Sequence, residues 1–443
     1  MSLLFAASVV LLFTYARAQQ FGQAELVYAW DVVEFDWPSE AARDAAIENG
    51  SYVPERNLVV GIKVYKDDVY VTVPRWFWPT GHPVTLAKLV TVKNETKLRP
   101  YPSWAYQNQD NCKYFQFVMS MEIDPNTGRM YVIDTGRVGN VLNLCPAKIY
   151  VFDLKTDELL ELHELPNEVV NRTKNFLNDI VLDYINGAVR FAYMSDAYDS
   201  RLITYDFQTR SAFYLKDPSM DIEKNASVIS FNGRDYDYIL SAINGIAISP
   251  DFKYVYYCAV SSYSLYQIPT STLRNLRNAK DTGIRRVGTK VSQTAALAYG
   301  KTRLYYGALS LNSVYFWDPE RDMRSQGVGV DKVTLQNQTL LVRNDSAMQW
   351  PDTFAFDNKG WLWFTSDRLP LFWANGLPNG TQGGEPFMRI WKVYVNETSY
   401  LYQADKRTQT GNGTQQVLSQ GGFSLFLLLV ISLTCHGVSS VSC

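Results

Sequence analysis

The sequence predicts an all-β fold, a six-bladed β-propeller of four-stranded antiparallel blades. Three observations lead there. A degenerate strand–turn–strand unit recurs six times along the 443 residues, with aromatic centres about 50–65 residues apart. A third apolar strand follows in several copies. Aromatic residues make up 14% of the chain and charged residues only 19%, a balance that favours strands over helices.

The six units are GIKVYKDDVYVTV at 61–73, MEIDPNTGRMYVID at 121–134, IVLDYINGAVRFAYMSD at 180–196, IAISPDFKYVYYCAV at 246–260, ALAYGKTRLYYGAL at 296–309 and FAFDNKGWLWFTSD at 354–367. Each reads as an apolar strand, a turn carrying Asp, Gly or Lys, and a second apolar-aromatic strand; period-2 patterning with regular turns is the mark of an all-β chain. Third strands are KIYVFD at 148–153, RLITYDF at 201–207, SLYQIP at 264–269 and SVYFWDP at 313–319. Six such sheets make a propeller. ELVYAWDVVEF at 25–35 has the pattern to pair with RIWKVYV at 389–395, closing the ring and hiding an edge strand. A pair of β-sandwiches is the competing architecture.

Residues 1–18 read as a secretory signal peptide: an apolar run at 3–13 precedes Ala16-Arg17-Ala18, a small-x-small cleavage site. A single propeller domain is expected over 19–400, then a polar linker, 401–422, and a hydrophobic tail, 423–443. The tail's run FSLFLLLVISLTC is too short to span a bilayer as a helix. Gly411-Asn412-Gly413, the polar spacer 414–422 and the apolar tail have the layout of a GPI-anchor signal, with an uncleaved tail as the alternative. Nine N-x-Ser/Thr sequons, at Asn49, Asn94, Asn171, Asn225, Asn337, Asn344, Asn379, Asn396 and Asn412, are expected on surface loops and to carry glycans. Signal and sequons imply an extracellular protein, either secreted or GPI-anchored at the cell surface.

In that oxidising setting Cys112 and Cys145 are natural disulfide partners, closing a loop of about 33 residues. Cys258, within the apolar run YVYYCAV, reads as a buried free thiol. The net charge of −2 gives no basic footprint for nucleic acid. The densest basic run, Arg274 to Arg286, is broken by Asn, Asp and Gly and reads as a solvated loop or short helix.

The chemistry-bearing residues are few. Histidine occurs only as His82, His163 and His436, which makes Ser-His-Asp hydrolysis and His-rich zinc sites improbable. No Gly-rich loop follows a strand and opens a helix, which argues against nucleotides; no cofactor is implied. The sharper signal is polar. Asn178-Asp179, Asn244-Gly245 and Asp352-Thr353 precede three of the repeats, where a propeller's innermost strands line the central channel. Asn178, Asn244, Asp352 and Thr353 are therefore candidate ligand-binding residues. Converging oxygen atoms would also suit a hard cation such as calcium. The plainer alternative is that they cap or turn the backbone at blade entrances.

A second candidate set is Asp134-Thr135 and Ser366-Asp367-Arg368, each after a second strand. Asp367 would pair with a protonated amine, with Trp350 and Phe372 adding cation–π contact, and Arg368 stands beside it. The alternative for Asp367 is an intrablade salt bridge with Arg368 or a neighbour. Trp76-Phe77-Trp78 and Trp361-Leu362-Trp363 have the spacing of side chains that pack between blades.

VYVTVPRWFWPTGHPVTL at 69–86 reads as a strand leaving its sheet through a rigid turn. With PYPSW at 100–104, GRMYVIDTG at 128–136, CPAKIYVFDLKTDELLELHELP at 145–166, DPSM at 217–220, TSTLRN at 270–275 and MQWPDTFAFDNKGWLWFTSDR at 348–368, it resembles the Yellow/major royal jelly protein family over nearly all of 25–395. Two cysteine positions frequent in that family are here Asn126-Thr127 and Phe316, so a second disulfide through Cys258 is in doubt. The resemblance implies a secreted propeller that binds a small aromatic amine or catechol-derived ligand in its channel, with a link to pigmentation. It equally implies a dopachrome-converting isomerase using Asp352 or Asp367, or an extracellular structural or signalling protein. NDIVLD at 178–183, NGIAISPD at 244–251 and PDTFAFD at 351–357 also resemble the calcium-dependent lactonases of the gluconolactonase group, but the first copy lacks their glutamate and no metal site is assigned. A channel plugged by side chains would favour the structural or signalling role.

Overall fold

The computed structural model describes residues 21–77, 81–139, 142–231, 233–278, 281–375 and 386–403. Six four-stranded antiparallel sheets follow one another in chain order. Blade 1 holds Ile62–Tyr65, Asp68–Thr72, Leu86–Val92 and Glu95–Pro100. Blade 2 holds Val118–Asp124, Arg129–Asp134, Lys148–Asp153 and Glu158–Glu164. Blade 3 holds Leu177–Ile185, Ala188–Asp196, Arg201–Asp206 and Ser211–Leu215. Blade 4 holds Ile243–Ile248, Tyr254–Ala259, Ser264–Pro269 and Arg285–Thr289; blade 5 holds Leu297–Tyr299, Leu304–Ala308, Ser313–Trp317 and Gln338–Arg343. Blade 6 is composite: Pro351–Phe356, Trp361–Ser366 and Met388–Tyr394 are completed by Glu25–Trp30 from the start of the chain. The sandwich alternative falls, and the expected closing pair forms in the register Glu25↔Lys392 to Trp30↔Met388. Lys392 Nζ lies 3.0 Å from Glu25 Oε2 across that seam.

The strands obey their surroundings. Inner strands touch neighbouring blades on both faces, so Val118–Asp124 is buried at every position. The outermost strand of the same blade, Glu158–Glu164, alternates exposed and half-buried residues over most of its length. The turn aspartates of the repeat share one job: Asp124, Asp153, Asp206 and Asp357 each accept the backbone N–H two residues on, at 2.9, 2.8, 2.9 and 2.8 Å. Gly128 closes the first of these turns at φ +76, where an added Cβ would lie 2.5 Å from the Tyr65 hydroxyl.

Arg75 explains the Pro-Arg-Trp turn. It is buried, and its guanidinium donates to the carbonyls of His82 (3.1 Å), Phe115 (2.7 Å), Gln116 (2.8 Å) and Gln107 (2.7 Å). Blades 1 and 2 are tied together through one side chain, and burial pushes its pKa down to about 9. Trp76 departs from expectation: it does not pack between blades but lies over the ring's upper end, stacked on Phe176 and edge-on to Phe117 and Trp373. Trp78 lies outside the described residues.

Cys112 and Cys145 form the expected disulfide, and Cys258 is buried and free. The basic run contains the short helical turn Leu276–Asn278, but Arg274 is no solvated residue: it makes a two-pronged ion pair with the fully buried Asp183 of blade 3 (2.7 and 2.6 Å). Of the sequons, Asn49, Asn94, Asn225, Asn337, Asn344 and Asn396 are exposed and Asn171 is half-buried. Asn379, Asn412, the signal peptide and the hydrophobic tail lie outside the described residues. No helix among the described residues is long and apolar enough to cross a membrane.

Replacing Cys112 and Cys145 with Ser should lower the unfolding free energy by roughly 3 kcal/mol, the closure entropy of their loop. Urea denaturation of oxidised wild type and the double variant measures it; equal midpoints would show that the bond adds nothing.

Candidate functional site

The inner strands enclose a channel lined by residues of all six blades, among them Lys63, Ser120, Glu122, Asn178, Asp179 and Asp352. The cavity within it is about 60 Å³. That is room for a few waters, against the several hundred Å³ of a ligand pocket. The lower mouth, where the first two strands of each blade meet, is crossed by residues 396–401. Glu397 anchors this strap by accepting from Thr302 N–H (3.0 Å), the Thr302 hydroxyl (2.8 Å) and the Tyr305 hydroxyl (3.1 Å), and it pairs with Arg303. The strap approaches so closely that a Cβ on Gly300 would meet Glu397 Oε2 at 2.2 Å. Tyr400, which lines the channel, then accepts Leu182 N–H at 2.9 Å through its buried hydroxyl oxygen. The upper end is roofed by the aromatic cluster containing Trp76, Phe117, Phe176, Trp350 and Phe372.

The expected candidate residues divide. Asn178 donates its amide N–H to Asn244 Oδ1 at 2.6 Å, so these two bridge blades 3 and 4. Thr353 donates to the Val60 carbonyl at 2.7 Å and joins blade 6 to blade 1. These three hold blade entrances together. Asp134 does the same: it accepts N–H groups of Gln116 (2.8 Å), Phe117 (3.0 Å) and Gly136 (2.8 Å).

Asp352 and Asp367 are different. Both are buried, and one oxygen of each, Oδ2, has no hydrogen-bond partner. Asp367 occupies the position of Asp134 at the end of a second strand, but where Asp134 receives three N–H groups, Asp367 receives among the described residues only Leu369 N–H, at 2.8 Å. The proposed salt bridge with Arg368 does not form among the described residues. Arg368 is half-buried, its Nε is unpartnered and its guanidinium sits 5.8 Å from the Phe387 ring centroid. Trp350 and Phe372 are indeed buried in the roof near this end.

Burial pushes the Asp352 carboxyl up to about 8, with the charge of Asp179 adding to the effect. Asp367 is driven well above the ordinary carboxyl range by burial first and then by Asp352. Asp179, one place after Asn178, is held at about 6: burial raises it, while the Lys63 charge and the backbone N–H groups of Ile246 and Ile180 draw it back. Its carboxylate accepts from Ile180 N (2.9 Å), Ile246 N (3.2 Å) and the Ser120 hydroxyl (3.2 Å). Of the two channel aspartates Asp179 and Asp352, burial makes Asp352 the harder to ionise.

The remaining aspartates of the lactonase-like motifs are committed elsewhere. Asp183 is paired with Arg274 and Tyr193, Asp251 accepts from Ser249 and Lys253, and Asp357 holds its turn and the Trp363 indole. No three His, Cys, Asp or Glu side chains converge to hold a metal among the described residues. Lys63 and Glu122 were not legible as site residues: each lies within a repeat unit but outside its polar motifs, and only their places on adjacent inner strands bring them into the channel.

The chain is similar to known proteins over most of its length. The sequence profile of the family described as "Major royal jelly protein" matches residues 117–397. "Major royal jelly protein 2" of Apis mellifera is 26% identical over 332 residues, covering 73% of this chain and 70% of that protein. "Dopaminechrome tautomerase" of Drosophila melanogaster is 26% identical over 403 residues, covering 86% and 83%. "Protein yellow" of Drosophila melanogaster is 25% identical over 374 residues, 79% of this chain and 65% of that longer protein.

The unpaired Asp352 makes stability depend on pH. An unfolded aspartate titrates near 4, the folded one near 8. Between these values the unfolded chain has lost a proton that the folded chain keeps, so stability falls as pH rises through that window. Asp352→Asn removes this loss, and its stability relative to wild type should climb between pH 5 and pH 8. Urea unfolding at both pH values tests it; a difference that does not change with pH would show that the carboxyl is paired or hydrated.

Proposed function

The chain belongs to the major royal jelly protein family, and on that premise we propose that it takes a small aromatic amine or catechol-derived ring in its channel and shifts a proton within it. One observation carries this reading: Asp352 and Asp367 keep unpartnered carboxyl oxygens in a fully buried place. Ionising Asp352 there costs on the order of 5 kcal/mol, far more than the roughly 1 kcal/mol of an ordinary hydrogen bond. A purely structural position would be served better by Asn.

The chemistry follows from the two carboxyl states. A tautomerisation takes a proton from a ring carbon and gives one to a ring oxygen, with no net change in oxidation state. Asp179, ionised above about 6, is the base; Asp352, neutral below about 8, is the acid. Asp367 does not touch the ring in this scheme. The name of the tautomerase relative supports the same class of reaction. At about 60 Å³ the cavity is smaller than a catechol ring, so binding requires the mouth to widen, and Tyr400 on its strap is the side chain that must yield.

That narrow cavity favours a second reading, an extracellular structural or signalling role without small-molecule chemistry. In either case we propose an extracellular setting, supported by the disulfide and the exposed sequons, with glycans at those sequons, and the apolar C-terminal run as the means of any membrane attachment. No nucleic-acid partner is proposed.

Conversion of dopaminechrome, followed by its loss of colour, should be bell-shaped in kcat/KM with limbs near pH 6 and pH 8. Asp179→Asn should remove the acid limb and Asp352→Asn the alkaline limb, each with a loss of about 10²–10⁴-fold. A rate indistinguishable from the uncatalysed reaction at every pH would leave the structural role standing.

A further inference from the structure

We propose that the channel accepts a cationic or uncharged ring and refuses one bearing a carboxylate, and that Glu122 sets this choice. The inference rests on the ligand reading above but on different residues. Among the described residues that line the channel, Lys63 is the one cation; Glu122, Asp179 and Asp352 are the acids. Lys63 projects from the inner strand of blade 1 and Glu122 from that of blade 2, and Lys63 Nζ lies 3.0 Å from Glu122 Oε2. Their side chains are 19% and 7% exposed, so the pair is largely withdrawn from water.

Glu122 is itself held in place. Its other oxygen, Oε1, accepts Ile123 N–H at 2.9 Å, which leaves Oε2 turned to the ammonium. A ligand carboxylate seeking Lys63 would have to displace Glu122 and leave a buried anion unpaired, which is strongly unfavourable. Left in place, the pair offers no net charge, and everything else charged in the channel is acidic. A ligand ammonium meets the opposite situation: Asp179 stands ready to receive it. Selection by charge thus falls out of one neutralised lysine. It divides catechol compounds by whether the side-chain carboxylate has been removed, so the preceding step for this substrate must be a decarboxylation.

Dopamine and L-DOPA differ only by that carboxylate and are the probes. Calorimetric titration of the intact glycosylated protein should give dopamine at least a tenfold lower Kd than L-DOPA. Glu122→Gln, which still accepts Ile123 N–H but no longer neutralises Lys63, should narrow the ratio to within about threefold, chiefly by tightening L-DOPA. Lys63→Gln should keep the preference or widen it, which separates charge from a general loss of folding. Equal affinity of wild type for both compounds would leave the ligand reading standing and overturn selection by charge. Binding of neither compound at millimolar concentration would overturn both.

Discussion

Ring closure is the constraint on which this structure depends. Each blade buries its faces against two neighbours, so an open ring would leave two apolar faces in water. Glu25–Trp30 prevents this by adding the fourth strand of blade 6, joining the two ends of the domain by backbone hydrogen bonds rather than by side chains alone. The channel exists because the ring is shut. The acids that line it are far apart in sequence and meet only through closure.

Closure is reinforced at both mouths by different means. Above, an aromatic roof of Trp76, Phe176, Trp350 and Phe372 excludes water from the ends of the inner strands. Below, the strap anchored by Glu397 places Tyr400 under the channel. Together they make a narrow, buried space, and burial governs its chemistry. In water three nearby aspartates would all ionise near pH 4. Inside this ring burial separates Asp179, at about 6, from Asp352, at about 8, and drives Asp367 well above the ordinary carboxyl range. The ordering follows the backbone: Asp179 receives two N–H groups and feels Lys63, whereas Asp352 Oδ2 receives nothing.

The same repeated position serves different ends in different blades. Asp134 and Asp367 both close a second strand, and the first is a saturated structural cap while the second is left with a bare oxygen. Sequence pattern cannot separate these two, because both are aspartates after an aromatic strand; the difference is the number of N–H groups that the preceding loop turns inward. Likewise the Asn178, Asn244 and Thr353 side chains were identified from their spacing, yet they satisfy one another and neighbouring carbonyls. Arg368 stands next to Asp367 in sequence and still turns toward Phe387.

By itself the sequence determined the blades: the number of repeats, their third strands, the composite last blade and the Cys112–Cys145 bond. These are set by local periodicity, turn chemistry and the count of apolar strands, all of which a linear pattern carries. Only the tertiary structure decided which polar residues stay unsatisfied, why Arg75 sits buried in its turn, and that Lys63 meets Glu122 across a blade boundary. Those outcomes depend on burial and on distances between inner strands of separate repeats. Neither is encoded at any one position, because both arise only when six sheets share one axis.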